Sequence, residues 1–184
     1  MVLIIPAIIL ALLIGAVIIF NKLVSLRQMS ENGWSDIEVQ LKRRADLIPR
    51  LVSTVKGYAS HERKLFEDVT AKRMQALAAG NNPRERGVAE SRLKQPVSRI
   101  MALAEDYPDL KASGNFLELQ EELSDTEDKI EMARRFYNGA VRELNTKIET
   151  IPSNLVAGPM GFKTRDYFEI DVMDAAAPDV EFSS

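Results

Sequence analysis

The first charged side chain in this sequence is Lys22. Met1 to Phe20 read MVLIIPAIILALLIGAVIIF, without an Asp, Glu, Lys or Arg. An uncharged helix of about 20 residues matches the roughly 30 Å hydrocarbon core of a bilayer. Pro6 near the first turn and Gly15 are both tolerated in such a helix. A cleaved signal peptide would carry a charged leading region, a shorter apolar core and a small-residue cleavage site, none of which is evident. A buried core helix that is apolar all round needs a larger protein around it. The run therefore predicts a single transmembrane anchor over residues 1–21. Only the α-amino group precedes it, whereas Lys22, Arg27, Lys42, Arg43 and Arg44 follow. The positive-inside rule then predicts a single-pass protein of the cell inner membrane, with the amino terminus outside and the bulk in the cytoplasm.

Composition removes several kinds of chemistry. The 184 residues contain no Cys and one His, which excludes disulfides, thiolate catalysis, Cys-ligated zinc or iron–sulfur centres and multi-histidine metal cages. A net charge of −3 gives no global basic field for nucleic acid. His61 lies in HERKL, without a second His four residues on, and reads as a surface residue. There is no GxSxG, GxxxxGK[ST] or GxGxxG. No catalytic residue, metal ligand or cofactor is expected.

Beyond the anchor the periodicity is helical. Trp34, Ile37, Leu41, Ala45, Ile48, Val52, Val55, Ala59, Phe66, Val69 and Ala76 form one stripe, predicting a long helix from about Ser35 to Ala79. Pro49 lies inside it and crowds the carbonyl of Ala45, and Gly57 weakens it. Gly80-Asn81-Asn82-Pro83 combines a C-terminal glycine, an N-cap and a proline at the first helical position. A second helix runs to about Glu105 with Ala89, Leu93, Val97, Ile100, Leu103 and Tyr107 inward, and Pro96 should bend it. A third carries Phe116, Leu119, Leu123, Thr126, Ile130, Ala133, Tyr137, Ala140 and Leu144, then Ile148 and Ile151 after a stutter, and stops at Pro152. Residues 22–152 thus form the bundle and 153–184 an irregular tail. Leu155, Val156, Phe162, Tyr167 and Phe168 should dock, and the last dozen residues should be disordered. The expected fold class is all-α: an N-terminal transmembrane helix followed by an elongated antiparallel helical bundle with long helices.

Charge is segregated. Lys42 to Arg99 holds 14 basic and 6 acidic residues, whereas Glu105 to Glu131 holds 10 acids against Lys111 and Lys129. The acidic helix either packs on the basic pair within one chain or meets the basic face of another. A second helix half as long as the first could not cover the stripe from Trp34 to Ala76, which predicts a homo-oligomer. Glu62 and Arg73 stand in phase with the first stripe, so Arg73 should find an acid such as Glu62 or Glu127. Asn138 and Asn145, seven apart, are candidates to bridge helices.

The run WSDIEVQLKRRADLIPRLVSTVKGYASHE from Trp34 to Glu62 resembles the opening signature of the LemA family. YPDLKASGNFLELQEELSDTEDKI from Tyr107 and ARRFYNGAVRELNTKIETIPSNLVA from Ala133 resemble its middle and third blocks. Asp128 and Leu144 depart from the usual pattern, in which an Asn and an aromatic are common, and Pro96 enters a helix that is normally uninterrupted. The resemblance singles out Trp34, Arg43, Arg44, Asp46, Pro49, Tyr107, Glu127, Arg134, Tyr137, Asn138 and Asn145, beside Arg73, as structural or interaction residues. It implies a protein without enzymatic activity. Such proteins are discussed beside membrane metalloproteases and membrane-remodelling systems, including magnetosome formation. The expected role is a membrane-anchored scaffold that self-assembles and organises membrane proteins or the bilayer. The alternative is an adaptor or regulator of a membrane-bound metalloprotease. The partners implied are the lipid bilayer, further copies of the chain and such a protease.

Overall fold

A computed structural model describes residues 3–170. Among these residues the regular structure is helical throughout, with α1 Ile4–Lys56, α2 Arg63–Ala78, α3 Pro83–Leu103, a 3₁₀ turn Ala104–Asp106, α4 Pro108–Lys111, α5 Gly114–Glu149 and α6 Asn154–Ala157. The all-α class and the long helices are as the periodicity predicts. The disorder expected of the last dozen residues lies outside the described residues. The described chain divides into two compact units, residues 3–37 with 131–167 and residues 38–130 with 168–170.

The first helix differs from the sequence expectation at both ends. It begins in the apolar run at Ile4 rather than near Ser35, because no Pro falls between Phe20 and Trp34 and the glycine there, Gly33, packs closely against Phe136 and Tyr137. It ends at Lys56, not Ala79. Gly57, Tyr58, Ser60 and His61 are weak helix formers, and Tyr58 and Ala59 N–H groups both turn onto the Val55 carbonyl. The chain reverses there, and α2 returns along the end of α1. Folding back lets Phe66, Val69 and Ala76 join Leu47, Ile48, Leu51 and Val55 in one core, where a straight helix would leave them in water. The stripe thus covers part of itself, and the helix-length mismatch behind the expected oligomer disappears.

The second unit is completed by α3, the 107–112 turn and the first half of α5. Asn82 caps α3, its side chain accepting the Glu85 N–H at 3.0 Å with Pro83 following, and Gly80 takes a φ of 69°. Leu93, Ile100, Leu110, Phe116, Leu119 and Leu123 fill the core from these elements. Gly87 of α3 touches the backbone of residue 169, so a Cβ there would run into the Glu169 carbonyl. That contact and the buried Phe168 and Ile170 dock the end of the described chain.

In the first unit α1 and the second half of α5 run antiparallel. Leu23, Leu26, Leu144 and Ala157 are buried together, with Ile19, Ile148 and Phe162 packed on them. Of the residues expected to dock, Phe162 and Phe168 are packed, whereas Leu155 and Tyr167 stay exposed; the Tyr137 hydroxyl donates to the Asp166 carbonyl at 2.8 Å. The Asn145 amide grips Arg165 at two points, donating to its carbonyl and accepting its N–H, both at 2.9 Å. The stretch expected to be irregular also holds the single helical turn of α6.

Candidate functional site

Two features stand out chemically: a buried ionic network and an apolar helix with no cover. The network belongs to the second unit. Leu41, Ala45 and Ile48 put one face of α1 into the core, and Arg44 lies on that face with only 2% of its side chain exposed. A buried charge needs partners. One terminal nitrogen of Arg44 meets Glu127 Oε1 on α5 and the other meets Glu90 Oε2 on α3, each at 2.5 Å. Glu90 is equally buried, and its second oxygen accepts from Arg86 Nε at 3.0 Å. Burial by itself would lower the Arg44 pKa. The carboxylates of Glu127 and Glu90 outweigh it and hold the guanidinium above its ordinary value. Arg44 is thus a fixed cation at the centre of the network. It can fix the register of three helices.

Its flanks carry the charge segregation seen in sequence. Arg43 lies 3.9 Å from Asp125 and Arg50 3.7 Å from Glu122, so basic α1 and acidic α5 pair within one chain. These pairs are open to water and contribute little to stability.

Arg73 does not take either predicted acid. Glu127 belongs to Arg44, and Arg73 Nε donates to the Ala45 carbonyl at 2.5 Å, with Asp46 3.9 Å away. The reason lies in Pro49. Within α1 the Ala45 carbonyl would receive the N–H of residue 49, which proline lacks. Arg73 fills that vacant acceptor from α2.

The remaining candidates separate. Tyr107 packs on the core of the second unit and stands before the first turn of α4. Trp34 and Tyr137 meet in the first unit with ring centroids 5.6 Å apart. Burial pushes the Tyr137 hydroxyl up to about 12, with Arg165 opposing and Asp166 adding to the shift. Arg134 and Asn138 lie half-buried one turn apart on α5, and Asn145 holds Arg165. Sequence reasoning missed Glu90, Arg86 and Gly87. Glu90 falls three residues before Leu93 and ten before Ile100, and that phase was its one available signal.

The apolar helix shows the opposite behaviour. Ile4, Ile5, Ile8, Ile9, Leu12, Leu13, Val17 and Ile18 are all exposed, on every side of α1. None of its most apolar 18-residue window is buried, so it is not a core helix. Among the described residues no group of three His, Asp or Glu could hold a metal ion.

Fold and surface define a helical protein with one apolar helix that fits a single membrane crossing. The model of the LemA family matches residues 33–182, and the chain belongs to that family. It is 26% identical over 175 residues to Magnetosome protein MamQ 2 of Paramagnetospirillum magneticum, covering 82% of this chain and 64% of that protein. Magnetosome protein MamQ of Magnetospirillum gryphiswaldense is 24% identical over 174 residues, covering 81% and 64%. Protein LemA of Metamycoplasma hominis is 28% identical over 137 residues, covering 74% and 63%. The chain thus spans slightly less than two thirds of these relatives. None of their names denotes an enzyme.

Replacing Arg44 with Met removes the cation that Glu127 and the buried Glu90 share, leaving Glu90 with Arg86 alone, and should cost about 3–5 kcal/mol. Urea unfolding of the detergent-solubilised chain checks this, and a loss below the error of the fit would show the network to be incidental. Arg73→Met should cost about 1–3 kcal/mol by stranding the Ala45 carbonyl, and much less in a Pro49→Ala background where the helix supplies its own donor. A double-mutant cycle reads the difference, and additive effects would contradict the proline account.

Proposed function

We propose that this LemA-family chain is a non-enzymatic membrane scaffold: the apolar run of α1 crosses the bilayer once, and the helices beyond that run present packed surfaces to other membrane components. The observation that carries the reading is the apolar helix, exposed on all sides from Leu3 to Ile18 and continuous with the packed part of α1. The cost of leaving that surface in water is removed by lipid. The buried network supports a rigid part rather than a reacting one, because its charges are matched and its arginine is a fixed cation. Two relatives are named for a cellular body, the magnetosome, and not for a reaction.

In this reading the amino terminus is outside and the residues beyond the span are in the cytoplasm, a direction supported by Lys22 and Arg27, which follow the span closely. Self-assembly no longer rests on helix length. Its support is an exposed apolar pair, Met132 and Phe136, one turn apart on α5.

Affinity purification from native membranes in mild detergent, after light crosslinking, tests the scaffold. Recovery of multiples of the chain itself is expected. A monomer with one stoichiometric membrane protease would contradict self-assembly and make the chain an adaptor. In intact cells stripped of their outer barrier, added protease should spare the units until lysis; cleavage before lysis would reverse the orientation.

A further inference from the structure

The first unit carries a second apolar surface that a single span leaves unused. From Thr150 to Phe162 the sequence TIPSNLVAGPMGF holds no charge. Helix α5 ends at Glu149, α6 makes one turn over Asn154–Ala157, and the chain turns again at Gly161, where φ is 73°. One side of this corner is buried: Ala157 and Phe162 join Ile19, Leu23, Leu26, Leu144 and Ile148. The other side is bare, with Ile151 81%, Leu155 71% and Met160 61% exposed. Isolated surface apolar residues need no explanation, but three within ten residues on an uncharged corner mark a contact surface.

Its position identifies what covers it. The Phe162 ring meets Phe20 edge-on with centroids 5.8 Å apart, and Phe20 is the last residue of the uncharged run. Ile19 packs on the same cluster, and Arg27 stands 5.5 Å from the Phe162 ring centroid. The corner therefore stands beside the end of the apolar span, at the level where hydrocarbon gives way to headgroups. Lys147 and Lys163 bracket it in sequence and Lys22 follows the span, against Glu149 as the acid of the same stretch. Arg165 is engaged by Glu31 at 2.6 Å.

We propose that the α5–α6 corner is a membrane foot: Ile151, Leu155 and Met160 enter the bilayer interface beside α1, while Lys22, Lys147 and Lys163 lie on anionic headgroups. Interfacial segments of this kind sink about 5–10 Å. The inference rests on the single-span reading and deepens it. A helix held in lipid at one point is free to tilt and rotate. A second contact on the same rigid cluster fixes both.

The sequence has no Cys, so single substitutions give unique labels. The full chain carrying Leu155→Cys, Met160→Cys, Ile8→Cys or Glu143→Cys is labelled with a polarity-sensitive fluorophore. Each is reconstituted into phosphatidylcholine–phosphatidylglycerol vesicles with or without brominated acyl chains. Labels at 155, 160 and 8 should shift to the blue, lose most of their emission to brominated lipid and resist aqueous iodide; the label at 143 should do the reverse. Quenching at 8 with iodide access at 155 and 160 would leave the span standing and overturn the foot. Shielding of 155 and 160 from both quenchers would overturn it too, placing a second copy of the chain on the corner. A label at 8 untouched by brominated lipid would remove the span and the foot together.

Discussion

The apolar surface of residues 4–18 and the buried Leu23 and Leu26 of the first unit belong to one uninterrupted helix, α1. The hydrophobic effect therefore acts on it twice. Beyond Phe20 it drives one face of the helix against neighbours from the same chain. From Ile4 to Ile18 the described residues supply little cover, and the apolar side chains point in every direction. Such a surface fits a medium without water. Within the first unit the helix passes from the apolar run to the packed Leu23 and Leu26 without a break, so whatever fixes the one sets the direction of the other.

Within the second unit, stability and specificity come from different places. The aliphatic core from Leu47 to Leu123 drives collapse but could tolerate a shift of one helix along another. Arg44 could not. Its two terminal nitrogens require a carboxylate from α3 and one from α5 at the same time, and any slip leaves a charge buried and unmatched. The Pro49–Arg73 arrangement works alike on the α1–α2 hairpin: a helix defect creates an acceptor that one side chain on the returning helix can reach. Both devices penalise alternatives more than they strengthen the native state.

Much of this was legible in the sequence because it depends on local chemistry. The uncharged run, the Asn82–Pro83 start and the stripe of α5 from Phe116 to Leu144 each carry their own physical signal, and the family signature singled out Arg44, Glu127, Tyr137 and Asn145. The break after Lys56 was not legible. Its turn residues are only mildly unfavourable in a helix, and the decision lies in the core that α2 gains by returning. Glu90 was hidden for a related reason: an acid in phase with Leu93 reads as an exposed neighbour until its arginine, 46 residues earlier, is known. Arg73 was recognised as needing a partner, yet its partner is a backbone carbonyl freed by a proline. Side-chain charge patterns do not reveal such an acceptor.

The central claim is that lipid covers the leading third of α1. Amide hydrogen exchange of the full chain in bilayer nanodiscs tests it directly. The account predicts that amides of Ile4 to Phe20 exchange as slowly as those around the buried Leu23 and Leu26, and that this protection falls away when the lipid is removed. Fast exchange across Ile4 to Phe20 in the nanodisc, with the packed part of α1 still protected, would contradict it.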